Sequence, residues 1–364
     1  MPNKNENNIF ELLEKKLSCN WQAIRYAQGQ AENTKEKFCN LLNDSKISGV
    51  KLIPEEEASI VVFGSLARGE WTTGSDVDWT LLIDGPADPE HRNIAHIIST
   101  RLEKEGLGEP SPAGAFGNMA FSHDIIHQIG GQKDTNRNTT QRILLLLESR
   151  SVIDDFVYDR VIRSVLMRYL EDDISFPSTK SNKYKIPRFL LNDIVRYWRT
   201  MAVDYAHKRY ERAGKGWALR NIKLRMSRKL IFVSGLLTCF SCYLNPSPSI
   251  GGVSIGTRDS RAGLVEHLVK YVGMTPLEVL TESLSKYALE DTARQIMDAY
   301  NSFLSKLADS DIRNHLEELD ISKADTDKIF NELCGISRKF QNGLTSFFFD
   351  NKHLAELTRK YGVF

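Results

Sequence analysis

The sequence predicts an α+β fold, a small mixed sheet with helices followed by an all-helical domain, and three observations predict it. The run SIVVF (59–63) is rich in β-branched residues and ends at a glycine. DVDWTLLID (76–84) alternates apolar and polar residues with period two. From Thr139 onward the apolar residues recur at helical spacing, in QRILLLLESR, FVYDRVIRSVLMRYL and RFLLNDIVRYWRTMAVDYAHKRY.

Taken in order, residues 7–45 read as helical, with Ile9, Leu12, Leu13, Leu17, Trp21, Ile24, Phe38, Leu41 and Leu42 forming an apolar stripe that braces the adjoining strand-bearing domain. SIVVF is the first strand, Gly64-Ser65 a small-residue turn opening a short helix, and DVDWTLLID the second strand. A helix over 88–105 precedes a Gly/Pro-rich loop, Gly106 to Gly117, and NMAFSHDIIHQI supplies a further strand. The helical remainder is broken at Phe176-Pro177-Ser178 and in the loop from Asn245 to Gly256, with an amphipathic stretch over 217–243. The chain shows no internal repeat and no low-complexity tract.

With 364 residues and 41% apolar content, the chain is long enough for two cored domains and is expected to fall outside the disordered and membrane classes. No stretch runs 18 apolar residues without charge, and the amino-terminal segment lacks a sustained apolar core, so the expected location is the cytoplasm, with no membrane partner. Five scattered cysteines suit reduced thiols in such a compartment. The net charge is only +1, yet residues 180–230 carry fifteen Lys/Arg against three acids, close to +12. Such a stretch is either the solvated face of its helices or an attraction for phosphate, including the backbone of an RNA.

The chemistry is concentrated in FGSLARGEWTTGSDVDWTLLI, residues 63–83. Asp76 and Asp78 are two apart on the predicted strand, so both carboxylates face one point while Val77 and Trp79 face the other side. Like charges at close quarters repel, and a hard divalent cation, Mg²⁺ or Mn²⁺, relieves that repulsion while also binding phosphate oxygens. Gly64 lets a phosphate approach the backbone, and Ser65 offers a hydroxyl and an N–H at a helix start. Arg68 offers charge neutralisation from the same turn, with a structural ion pair as the competing assignment. Ser75 is a turn residue with a secondary contact to ligand.

A Gly-Ser followed about ten residues later by Asp-x-Asp on a strand resembles the signature of the polymerase-β-like nucleotidyltransferases, matched here by Gly64, Ser65, Asp76 and Asp78. The resemblance implies a metal-dependent enzyme that uses an NTP as co-substrate and moves a nucleoside monophosphate to an acceptor hydroxyl on a protein or a small molecule. It implies a third carboxylate from a neighbouring strand, for which Asp124 is the choice, Asp134 and Glu148 are runners-up, and Asp84 lies too near the strand end. DTNRNTTQRILLLLESRSV looks like the helical segment after the catalytic strands in the uridylyltransferases acting on the PII signalling protein and their bacterial relatives. The implied organisation is a helical brace over 1–50, a catalytic domain over 51–155 and a helical substrate-binding domain over 156–364. Transfer to RNA, synthesis of a nucleotide second messenger, and a catalytically inert nucleotide-binding module are the alternatives.

Other signals are weaker. His123-Asp124 lacks the further ligands of a phosphohydrolase, and His123 with His127 are not presented as a helical zinc pair. Cys239-x-x-Cys242 lies in an apolar helical run without a second pair and reads as buried thiols. GGVSIG (251–256) comes after no strand and reads as a loop.

Overall fold

The structure is a computed structural model that describes residues 8–43, 56–72, 74–107, 116–171, 186–211, 214–244 and 258–362. It divides into two compact units interleaved in sequence: a sheet unit of residues 28–197 and 241–275, and a helical unit of residues 1–27, 198–240 and 276–364. The division falls inside three long helices, α2 (Gln22–Asn43), α8 (Arg188–Glu211) and α10 (Lys229–Leu244). The α+β architecture is that predicted from the sequence.

Among the described residues the sheet has four strands, in the order β3-β2-β1-β4. They are β1 (Ala58–Phe63), β2 (Asp78–Ile83), β3 (Met119–Phe121) and β4 (Ser149–Ile153). β1 pairs antiparallel with β2, placing Phe63 opposite Asp78, and antiparallel with β4, placing Phe63 opposite Ser149. β3 runs parallel to β2, with Leu81 opposite Met119 and Ile83 opposite Phe121. The sheet is therefore mixed.

Side-chain alternation sends Ala58, Ile60, Val62, Trp79, Leu81 and Ile83 to one face. There they pack with Phe38 and Leu42 of α2 and with Ile94, Ala95, Ile98 and Leu102 of α4 (Glu90–Lys104). Each large apolar side chain buried this way contributes roughly 1.5–3 kcal/mol. α7 (Asp155–Glu171), whose buried Val157, Val161, Val165 and Leu166 follow helical spacing, packs on β1 and β4.

Two sequence expectations are corrected by the structure. NMAFSHDIIHQI is strand only over Met119–Phe121; Ser122–His127 is a short helix, α5, because Ile125 is buried while His123 and Asp124 are exposed, a helical and not an alternating pattern. The helical reading after Thr139 missed β4, which comes after α6 (Asn136–Leu147) and completes the sheet beside β1.

Arg142 of α6 is fully buried. It donates to Asp134 (2.9 Å), to Asp193 (2.9 Å) and to the Tyr169 hydroxyl (2.9 Å). Asp134 also accepts from Arg196 (3.1 Å) and from the Gly130 N–H (2.9 Å). A buried cation is tolerated when its donors are satisfied in this way.

In the helical unit α1 (Ile9–Leu17) packs on α12 (Pro276–Tyr287). α13 (Glu290–Ala308) lies along α15 (Lys328–Thr345), so tightly that a β-carbon on Gly343 would stand 2.6 Å from Ile296 Cγ1. α9 (Trp217–Lys223) continues through a π-turn, Leu224–Arg228, into α10. Among the described residues no helix is long and apolar enough to cross a membrane. Cys239 and Cys242 are buried in α10, where burial pushes the Cys242 thiol up to about 12.

Candidate nucleotidyl-transfer site

The site forms where β1 ends and β2 begins. After Phe63 the backbone turns at Gly64, whose φ of +69° is natural only to glycine, and enters the single-turn helix α3 (Gly64–Ala67). The turn closes with a Schellman arrangement: the Gly69 N–H bonds the Leu66 carbonyl (3.3 Å) and the Glu70 N–H the Ser65 carbonyl (2.8 Å), with Gly69 also at φ +69°. GSLARGE thus encodes its own fold, with glycines at both positions that need left-handed backbone.

Opposite Phe63, β2 opens at Asp78. A β-carbon on Gly64 would lie 2.8 Å from Asp78 Oδ2, so the carboxylate rests against bare backbone at the start of α3. Asp76 is exposed, just before the strand and not within it, while Asp78 is half-buried. Val77 between them is fully buried in the same core as Trp79, while neither aspartate belongs to that core. Ser65 is half-buried in the first turn of α3, where N–H groups have no partner within the helix. Phe116 stacks on Phe63 at 4.1 Å between ring centroids, giving this end of the sheet an aromatic neighbour.

The remaining predicted residues are placed differently. Arg68 is buried and its guanidinium is engaged by carboxylates, 2.9 Å from Glu70 and 2.5 Å from Glu148, the structural ion pair that competed with phosphate in the sequence reading. Ser75 accepts the Thr72 N–H (3.2 Å) and its own N–H bonds the Thr72 carbonyl (3.0 Å), which makes it the closing residue of the loop that delivers Asp76.

Asp124 is not brought to the pair. Because β3 runs parallel to β2, the chain after Phe121 emerges beside Ile83, the end of β2 remote from Asp78. Six strand residues at about 3.3 Å each separate those two ends by well over the reach of a shared ion. On α5 Asp124 is exposed and bonded to Gln128 (3.0 Å). Asp84, at that same remote end, is held by Ser122 and by Arg160 (2.6 Å), and Asp134 belongs to the Arg142 network. Of the acids considered, Glu148 stands nearest in register, one residue before the Ser149 that faces Phe63, but its carboxylate is bound to Arg68. Sequence reasoning missed the roles of Glu70 and Phe116, for which no sequence signal exists beyond residue type.

Among the described residues no group of three or more His, Cys, Asp or Glu is placed to hold a metal ion. The Asp76/Asp78 pair nevertheless fits Mg²⁺ or Mn²⁺, since such ions are held by one or two carboxylates with substrate phosphates and water completing the shell. The glycine beneath Asp78 is the second element of that fit, because it leaves the side of the carboxylate clear of any side chain at residue 64.

Residues 49–109 match the family model of the nucleotidyltransferase domain. The matched family is the polymerase-β-like nucleotidyltransferase domain, and the match covers about a sixth of the chain. The match spans β1, the Gly64-Ser65 turn, both aspartates and α4, and supports a nucleotidyl-transfer activity that takes an NTP as substrate. No curated protein matches the chain.

Proposed function

We propose that the nucleotidyltransferase domain transfers a nucleoside monophosphate from an NTP to a hydroxyl of a protein or small-molecule acceptor, with release of pyrophosphate and dependence on Mg²⁺ or Mn²⁺. The observation that carries this reading is Asp78 set against Gly64, with Asp76 two residues before it, within a segment matched by the nucleotidyltransferase domain. A net charge of only +1 favours a protein or small-molecule acceptor over a polyanionic one.

In the reaction the acceptor oxygen bonds to the α-phosphorus, the bridging P–O bond to the β-phosphate breaks, the hydroxyl proton passes to solvent and pyrophosphate leaves. A bound divalent cation supplies Lewis acidity toward phosphate and acceptor oxygens. Asp76 and Asp78 hold the cation. Gly64 permits close approach of the triphosphate to the backbone, and Ser65 with the first N–H groups of α3 donates to its oxygens. Arg68, Glu70 and Glu148 keep that turn in register with β4.

The test is pyrophosphate release from each of the four NTPs with Mg²⁺ or Mn²⁺ and cell extract as acceptor, comparing wild type with the Asp76→Ala/Asp78→Ala variant. Release lost in the variant supports the proposal, and the labelled product identifies the acceptor. Release that survives in the variant places the chemistry elsewhere, and NTP binding without any release identifies an inert nucleotide-binding module. Transfer to RNA is a second reading with one observation of its own, the run of six Lys/Arg without an acid between Lys215 and Phe240.

A further inference from the structure

From Lys215 to Phe240 the helical unit carries six Lys/Arg and no Asp or Glu. In this stretch Trp217, Ile222, Met226, Leu230 and Ile231 are buried, and Arg225 and Lys229, one turn apart, are half-buried beside them. The Lys229 ammonium donates to the neutral amide oxygen of Gln341 on α15. Among the described residues no carboxylate pairs with Arg225 or Lys229. Burial, and then the charge of Arg225, push the Lys229 ammonium below its ordinary value. Two cations crowded together without an anion are unfavourable in the empty protein and favourable once an anion arrives. Arg225 also lies within the π-turn, an irregularity found frequently at functional sites.

We propose that Arg225 and Lys229 form a phosphate-binding site whose ligand is the backbone of an RNA. Arginine supplies a planar fork and lysine a point charge, the combination that grips phosphate oxygens. Residues 215 to 229 extend roughly 20 Å along the helical path, a length suited to several successive phosphates. The other source of the same chemistry is the triphosphate of a free nucleotide, and the experiment separates the two.

Binding of a short fluorescent single-stranded RNA to the full chain is measured across a salt series, and tripolyphosphate binding is measured in parallel, for wild type, Arg225→Met, Lys229→Met and the exposed control Lys352→Met. The expected result is a loss of RNA affinity of about 3-fold or more in Arg225→Met and Lys229→Met, together with a salt slope shallower by about one ion each. Lys352→Met is unchanged, and thermal unfolding shows all three folded. RNA binding unchanged in both variants overturns the proposal. Tripolyphosphate binding weakened while RNA binding is unaffected overturns the RNA assignment and gives the site to free nucleotide. Since binding is read without turnover, failure here leaves transfer through Asp76 and Asp78 standing, and loss of transfer leaves this site standing.

Discussion

Arg68 reaches Glu148 across 2.5 Å, joining the turn after β1 to the residue that precedes β4. Glu70 completes the cluster at 2.9 Å, and all three side chains are buried. One cation therefore holds two carboxylates beside the start of α3. Removing the cation leaves like charges together in a poorly hydrated place, whereas neutralising one acid leaves a matched pair. Arg68→Met should cost about 3–5 kcal/mol and Glu148→Gln only about 1–2 kcal/mol. Urea midpoints for the two variants check the order, and equal costs would refute this account.

Gly64→Ala meets two obstacles, a left-handed backbone worth about 1–2 kcal/mol and a β-carbon 2.8 Å from Asp78 Oδ2. The carboxylate must move, so pyrophosphate release should fall by far more than stability does. At Gly69 the φ is the same, but a β-carbon there meets nothing closer than 3.6 Å, so Gly69→Ala should carry the conformational cost with little loss of turnover. Steady-state rates with thermal unfolding for both alanine variants give the comparison.

The parallel pairing of β3 with β2 makes a sharp distinction among aspartates. Asp78→Asn should lower pyrophosphate release by at least about 100-fold, the scale seen when a charge-stabilising group is lost, while Asp124→Asn should leave it within about 2-fold. A large loss in Asp124→Asn would show that α5 moves to the other end of β2 during turnover.

Asp327 caps α15, accepting the Phe330 N–H at 2.7 Å, and lies 2.7 Å from His315. Burial pushes its carboxyl up, but the Phe330 N–H and His315 outweigh this and hold it below its ordinary value of 3.8. The folded value being the lower one, the stabilisation is present above 3.8 and is lost as pH falls through the folded value. Asp327→Ala should cost about 1 kcal/mol at neutral pH. Asp327→Asn, still a capping residue, should keep most of that stability and lose this part of the acid dependence, as read from unfolding curves between neutral pH and pH of about 3.

Much of the candidate site was legible because its signals are local. SIVVF, Gly64-Ser65 and DVDWTLLI lie within 25 residues, and the strand-turn-helix-strand order arises from β-branched residues, left-handed glycines and period-two alternation. Val77 is buried while Asp76 is exposed and Asp78 half-buried, in keeping with that alternation. Arg68 was ambiguous in sequence for a physical reason: a guanidinium accepts phosphate or carboxylate equally well, and its partner Glu148 is 80 residues away.

By itself, the sequence determined the mixed-sheet and helical architecture, the turn opened by Gly64, and the spacing of Asp76 and Asp78 at the start of a strand. Only the tertiary structure decided that β3 is three residues long and parallel, which carries Asp124 away, and that SRSVI is a strand beside β1. It alone decided that Arg68 is held by acids and that each compact unit draws on separate stretches of the sequence. Dihedral preference and side-chain alternation act between neighbours in the chain and can be read there. Strand direction and ion pairing depend on which distant segments share a burial site, and that is settled only when the sheet assembles.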